Sequence, residues 1–502
     1  MDADSLDQML LAGSAIVLLA VLAVRVSVRV GMPSLLFYLG MGIVLGEAVL
    51  GVRFDDASTA QALGFAALVV ILTEGGLTTR WSEVRPSLGL GLALATVGVG
   101  VSVTLVAVFA HLALGFSWQL SFLLGAITSP TDAAAVFTVL RRVPLKPSLL
   151  GALEAESGLN DAPTVLLVVL ISTHEGAEAG VLGFVGLVVY ELVGGAAFGA
   201  LVGWLGAMLL RRVALPASGL YPITVLAIAV LSYSGASALH ESGFAAVYVT
   251  ALILGNSDLP HRSSTRSFAE GFAWLAQIGL FIMLGLLASP STFTVGQVVG
   301  GVVLGAALTL VARPVSVLAS ALPFGLPWRE QGFVALAGLR GAVPIVLAAI
   351  PLAEHVHRSA EIFNVVFVLV VVLTVTTAPA LPALARTFGV TVDRPRDVDV
   401  EAAPLEHIAA DLLQVKITEK SRLHGVEIGE LRLPKGTSVS LIVRGESSFT
   451  PDLRTSLRRG DDILVVTRRK DRELTERRLQ AVSRGGRLAG WTTPKRRTRG
   501  SS

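Results

Sequence analysis

Cysteine is absent from all 502 residues, which excludes disulfides and thiolate metal sites. Histidine is scarce: there are eight, without ligand spacing, and the closest pair, His355 and His357, falls in an expected loop. No metal centre is expected beyond a monovalent cation. No nucleophile–base constellation occurs, so the chain does not read as an enzyme and implies no cofactor. Charge is the third shortage. Only 15% of residues are charged, against roughly 25% in soluble domains. The net charge is +3, and its basic excess lies in short loops and the last stretch of tail, a pattern of membrane orientation rather than nucleic-acid binding. The first residues, Met1 to Gln8, are acidic and lead into an apolar run of spanning length, so no cleavable signal is expected.

What the chain has in quantity is apolar sequence: 53% hydrophobic residues and a mean hydropathy of +0.71. Runs of spanning length lie at 9–30, 33–51, 60–79, 88–112, 117–140, 149–172, 181–210, 220–238, 242–257, 271–289, 296–322, 331–353 and 361–385. This predicts a polytopic α-helical membrane protein of about thirteen transmembrane helices. Arg80, Arg85, Arg141, Arg142, Lys146, Arg211, Arg212, Arg262, Arg266, Arg329 and Arg386 fall on alternate loops. Asp55, Asp56, Glu175, Glu178, Glu241, Glu354 and Glu361 dominate the others. The positive-inside rule puts the basic set in the cytoplasm, the N-terminus outside and the C-terminus inside.

Two polar clusters interrupt the apolar runs. Glu156-Ser157-Gly158-Leu159-Asn160-Asp161 leads straight into the run from Ala162 to Ile171. A carboxylate at membrane depth is costly and marks an ion or proton pathway by default. On a helix Glu156 and Asn160 share one face, and Ser157 and Asp161 share the adjoining one. One pair can hold a polar bridge while the other faces a cation. Upstream, Thr128-Ser129-Pro130-Thr131-Asp132 breaks the run from Leu120 to Leu140. Proline removes a backbone donor, and unwound backbone at this depth survives only around a protein-lined or watery cavity. Late in the chain Gly338-Leu339-Arg340-Gly341-Ala342-Val343-Pro344 makes a matching break. Paired broken helices point to an inverted-repeat transporter with a site at the crossing, where Asp132 offsets positive half-helix ends and Arg340 negative ones.

After residue 390 the composition changes. We expect a transmembrane domain over 1–390, a charged linker over 391–405, a small cytoplasmic α+β domain over 406–480, and a basic, disordered tail over 481–502. Strands are read at Leu412–Ile417, Ser438–Val443 and Ile463–Val466, with a short helix near Gly425–Leu431.

These motifs resemble those of the cation:proton antiporters, specifically the NhaP-type branch. The resemblance rests on Thr128–Asp132, Glu156–Asp161, Arg313-Pro314 and Gly338–Pro344, in the expected order, and covers about residues 10–385. It implies that Asp161 binds either the cation or protons, with Asp132 assisting. Ser157 would lend a hydroxyl and Thr131 a backbone carbonyl. Glu74, in Leu72-Thr73-Glu74-Gly75-Gly76-Leu77, matches a position that can add a carboxylate. Glu156 would pair with Arg313 as scaffold, with Asn160 of the binding face bridging. The Asn160-Asp161 dipeptide implies electroneutral exchange. The family also implies elevator-like alternating access, a homodimer, and a bacterial inner membrane location. The tail resembles a TrkA-C (RCK-C) regulatory domain through Leu433-Pro434-Lys435-Gly436 and Gly460-Asp461-Asp462. That combination looks like the potassium/proton subgroup, with sodium the other candidate, and such a tail could take a nucleotide or cyclic dinucleotide.

Physical chemistry supports competition at Asp161 independently. Burial disfavours a charged carboxylate, and either a proton or a nearby cation removes the penalty. The alternative is a cation channel or uniporter gated by the tail. Against it, the chain holds no Thr-Val-Gly-Tyr-Gly filter, and paired broken helices favour a carrier.

Overall fold

The computed structural model describes residues 3–47, 50–52, 54, 56–140, 143–173, 180–213, 215–288, 290–341, 343–392, 398–405, 410–418, 421–445 and 447–486. Two compact units divide the chain, Met1–Val392 and Asp393–Ser502.

The first unit is helical throughout. Its elements are α1 (Ala3–Val30), α2 (Ser34–Leu45), α3 (Ala57–Thr78), α4 (Trp81–Leu114), α5 (Trp118–Thr128), α6 (Ala133–Leu140), α7 (Pro147–Thr173) and α8 (Gly180–Arg212). There follow α9 (Leu220–Ala238), α10 (Gly243–Asn256), α11 (Arg262–Leu287), α12 (Val295–Phe324), α13 (Trp328–Ala337), α14 (Val343–Ala353) and α15 (Ser359–Thr387). Among the described residues, eight helices are long and apolar enough to cross a membrane. The remaining segments expected to span are helical but either short, as in α2, α5, α10 and α14, or interrupted by acids. Helix α7 has 27 residues but carries Glu154, Glu156 and Asp161 within them.

The helices sort into two groups. In one, α10 packs on α3, α8 and α9, while α11 packs on α2 and α3. In the other, α7 packs on α4 and α5, α12 on α4, α13 and α15, and α14 on α15. The groups meet where α14 lies on α3 and α10 lies on α7. Small residues let the first group close up. A Cβ on Gly195 or Gly199 of α8 would overlap the backbone carbonyl of Ser242 or Ala246, and one on Gly203 would lie 3.1 Å from Thr250 Cα.

Helix ends follow local chemistry. Asp56 caps α3 by accepting from the Ser58 and Thr59 amides at 3.0 and 3.2 Å. The turn between α9 and α10 falls at Leu239–Ser242, where His240 adopts φ 59° and Ser242 caps the next helix. Helix α11 starts at Arg262, well before the expected 271. The polar stretch that reads as loop is helical because Arg262 and Arg266 donate to carbonyls at other helix ends, Arg266 Nε reaching Leu77 O at 3.1 Å and Arg262 reaching Gly255 O. Cations suit those C-terminal ends.

The second unit holds an antiparallel five-stranded sheet in the order β1-β2-β5-β3-β4. The strands are β1 (Val398–Leu405), β2 (Ala410–Ile417), β3 (Ser438–Arg444), β4 (Ser447–Phe449) and β5 (Asp462–Arg468), followed by helix α16 (Arg472–Gly485). Its core includes Leu413, Val415, Ile417, Ile442, Ile463, Val465 and Leu479. Two expectations need correction. Residues 398–405 belong to the sheet rather than a linker, since β1 pairs with β2 along its whole length. Positions 481–485 of the expected disordered tail continue α16. Residues 393–397 of the linker and 487–502 of the tail lie outside the described residues.

The larger unit has its own continuous core, which includes Leu123, Leu124, Val346, Leu347 and Val366. Truncation after Val392 should therefore give a protein that still inserts and runs as a single species in detergent. Its thermal midpoint should lie within a few degrees of the full chain, the shift given by roughly 1 kcal/mol in a large domain. Size-exclusion chromatography with thermal unfolding checks this, and aggregation of the truncated chain would make the tail structural.

Candidate functional site

The first break is built from hydroxyls and one carboxylate. Helix α5 ends where Pro130 cannot continue it, and the Thr128 and Ser129 hydroxyls donate back to Leu124 O and Gly125 O, both at 2.7 Å. Asp132 then caps α6, its Oδ1 accepting from the Ala135 amide at 3.0 Å. Ser157 Oγ on α7 accepts from the Ala133 amide at 3.1 Å. The N-terminal end of a half-helix thus faces a carboxylate and a hydroxyl, as its dipole requires.

The second break separates α13 from α14. Arg340 Nη1 donates to Gly338 O at 3.1 Å, placing a cation at the C-terminal end of α13. The breaks touch: the Asp132 amide donates to Leu339 O at 2.9 Å. Two glycines make this approach possible. A Cβ on Gly341 would overlap the Asp132 carboxylate, and one on Gly338 would lie 2.8 Å from Arg313 Nε.

Beside the crossing, Glu156 Oε1 lies 2.6 Å from Arg313 Nη2. Both residues are buried, as is Arg340, which is 2% exposed. Arg313 follows a π-helical turn at Leu308–Ala312 within α12, an irregularity that re-aims the next residues. Asn160 does not bridge this pair. Its Nδ2 donates to Thr131 Oγ1 at 2.9 Å, because it rises one turn above Glu156 on α7 and there meets the broken segment. Asn160 therefore ties α7 to the first break.

Asp161 stands on the adjoining face, with Asp132 as the charged side chain acting on it. Its Oδ1 is enclosed and has no hydrogen-bond partner among the described residues. A shielded acceptor of this kind needs an explanation. Asp132, Ser157, Thr131, Asn160 and Asp161 are thus brought together, with Glu156, Arg313 and Arg340 behind them. No printed contact joins Glu74 to this group among the described residues; it is half-buried on α3, with Glu270 of α11 the charge acting on it. When all are ionised, the carboxylates of Asp132, Glu156 and Asp161 exceed the guanidinium groups of Arg313 and Arg340 by one negative charge. One link was not visible in the sequence. Lys146 Nζ lies 2.6 Å from Glu330 Oε1, fastening the start of α7 to the start of α13. Both residues look like ordinary loop-end charges, and only their meeting in space gives them a role.

Residues 15–385 match the family of the sodium/hydrogen exchanger, transmembrane, and residues 412–480 match the TrkA-C domain. The chain belongs to the sodium/hydrogen exchanger family. The K(+)/H(+) antiporter NhaP2 of Shewanella sp. (strain MR-4) is 33% identical over 488 residues, which cover 94% of this chain and 83% of that protein. The K(+)/H(+) antiporter NhaP of Alkalimonas amylolytica is 35% identical over 400 residues, covering 78% and 69%. Among solved structures, the sodium proton antiporter MjNhaP1 from Methanocaldococcus jannaschii at pH 8 superimposes with a TM-score of 0.64 at 21% identity. The match covers 76% of this exchanger and 99% of that chain, so the two share a fold.

The buried pair generates a prediction. Glu156→Gln should destabilise the exchanger by about 3–5 kcal/mol, because it strands Arg313 in the interior. Adding Arg313→Met should restore part of that loss. Thermal unfolding in detergent measures both, and absence of any recovery would show that the two side chains are not energetic partners.

Proposed function

We propose that the protein exchanges a monovalent cation, potassium in preference to sodium, for protons, one for one, at Asp161. Cation:proton exchange itself follows from membership of the family. The relatives reported above are named as antiporters, which gives the gated-channel alternative no support. Potassium is favoured because the relatives matching nearly the whole chain, tail included, are named as K(+)/H(+) antiporters. The TrkA-C domain is then the regulatory part.

The observation that carries the site assignment is the shielded, unpartnered Oδ1 of Asp161 in a cluster with one surplus negative charge. A proton on that oxygen removes the surplus, and so does a cation beside it. Asp132, the Ser157 hydroxyl and the Thr131 carbonyl are the further hard-oxygen ligands for the cation. Both together would leave a buried positive charge, and neither would leave a negative one. Each is costly to move through low dielectric. The loaded forms cross, the empty form does not, and exchange becomes obligatory. Glu156 is committed to Arg313, and Asp132 to the α6 amides. One carboxylate is then left to change protonation in each cycle, which supports electroneutral stoichiometry.

The architecture supports alternating access by one helix group moving against the other, with the site on the group that holds both breaks. It also favours the inverted-repeat reading with about thirteen crossings. Each broken pair follows a long helix interrupted by a π-helical turn, at Leu94–Gly98 in α4 and Leu308–Ala312 in α12. The loop charges support an external N-terminus and a cytoplasmic tail in a bacterial inner membrane. The most apolar windows of α1 and α8 are only 11% and 6% buried, which leaves apolar faces for lipid and for a second copy in a homodimer.

In everted vesicles carrying a pH-sensitive dye, adding potassium should dissipate the proton gradient more strongly than adding sodium. Asp161→Asn should reduce either response at least about a hundredfold, as loss of the one carboxylate that changes protonation in the cycle predicts. Substantial exchange by a folded Asp161→Asn protein would remove Asp161 from its role.

A further inference from the structure

Helix α7 presents another acid on the face of Asp161. Glu154, Gly158 and Asp161 follow one another at spacings of four and three residues, so they line one side of the helix. Glu154 lies about two turns closer to the basic loop that precedes α7, about 10 Å from Asp161 along the axis. It is half-buried and makes no ion pair among the described residues. The charges acting on it are Glu83 and Arg80, which bond to each other at 3.0 Å with side chains more than half exposed. Glu154 therefore stands between the open basic-loop face and Asp161.

The gap between the two acids is filled by a hydroxyl from the other helix group. Tyr248 on α10 is 6% exposed, and its hydroxyl rests against Gly158, in the space any Cβ there would take. Tyr248 is within electrostatic reach of both Glu154 and Asp161. The Thr79 hydroxyl at the end of α3 lies near both Tyr248 and Glu154, and its own proton donates to Gly75 O at 2.8 Å. Glu154, Thr79, Tyr248 and Asp161 thus gather where α3, α7 and α10 meet. A half-buried carboxylate on the face of Asp161, with no ion pair among the described residues, points to a pathway role, and a hydroxyl beside two carboxylates suits both a proton and a partly dehydrated alkali cation.

We propose that Glu154, with Tyr248 and Thr79, is the last station through which cations and protons pass between the basic-loop face and Asp161. The proposal rests on the assignment of Asp161 above. Glu154 concentrates the cation at the mouth, and the Tyr248 hydroxyl hands it past Gly158.

The test uses the full-length protein and sided transport. Potassium is titrated from the basic-loop face in everted vesicles and from the opposite face in right-side-out vesicles. Glu154→Gln should raise the half-saturating potassium concentration about five- to tenfold from the basic-loop face only, a loss of the size one nearby charge supplies. The maximal rate should stay within about twofold, and Glu154→Asp should recover most of the affinity. Tyr248→Phe should shift the same parameter, and the Glu154→Gln, Tyr248→Phe double variant should lose less than the product of the single effects, since both act on one route. An unchanged half-saturation in Glu154→Gln, an equal shift from both faces, or multiplicative single effects would overturn the proposal. Such a result alongside an inactive Asp161→Asn protein sinks this route alone. Retained exchange by Asp161→Asn sinks the underlying site and the route with it.

Discussion

Charge inside a membrane protein must be matched locally, and the crossing of the two broken helices is where this protein does so. The Asp132 amide holds Leu339 O at 2.9 Å, and that bond sets the distance between the half-helix ends. Everything nearby depends on it. Asp132 and Ser157 complement the exposed amides of α6, and Arg340 complements the last carbonyls of α13. Glu156 and Arg313 cancel each other one layer away. With the ends neutralised, the proposed site at Asp161 is where the surplus charge would fall and where a cargo would remove it.

The same crossing explains the demand for small residues. Gly338 and Gly341 are glycines because the Arg313 guanidinium and the Asp132 carboxylate occupy the space of their missing side chains. On the outer group, Gly195 and Gly199 bring α8 against α10, fixing the surface along which α7 lies. The crossing and the packing of the helices around it therefore rest on backbone contacts as much as on the charged side chains.

Much of this was legible in the sequence, for a physical reason. Acids and prolines in apolar runs are so costly that Thr128–Asp132, Glu156–Asp161 and Gly338–Pro344 stand out without any structure. Helix ends marked by the same contrast, such as the turn at His240 between α9 and α10, were also readable. What failed was hidden by composition. The charged stretch 398–405 pairs as strand β1, where alternation in Val398-Asp399-Val400-Glu401 was outweighed by its charge. The polar start of α11 is helical because distant carbonyls accept from its arginines. Asn160 was expected at the Glu156–Arg313 pair, yet it reaches Thr131. Spacing on a helix gives the face of a residue, but only packing gives its partner. Tyr248 carries no signal in the sequence, since nothing there places α10 against Gly158.

In the proposed cycle, one surplus charge is always cancelled when the site crosses. The most direct measurement is exchange in proteoliposomes under a diffusion potential imposed with a permeant ion other than potassium, with charge movement recorded in parallel on a solid-supported membrane. One-for-one exchange predicts a rate independent of voltage and no current that scales with turnover. A rate that follows the imposed voltage, or a current proportional to turnover, would contradict it and require a second carboxylate to change its protonation in the cycle.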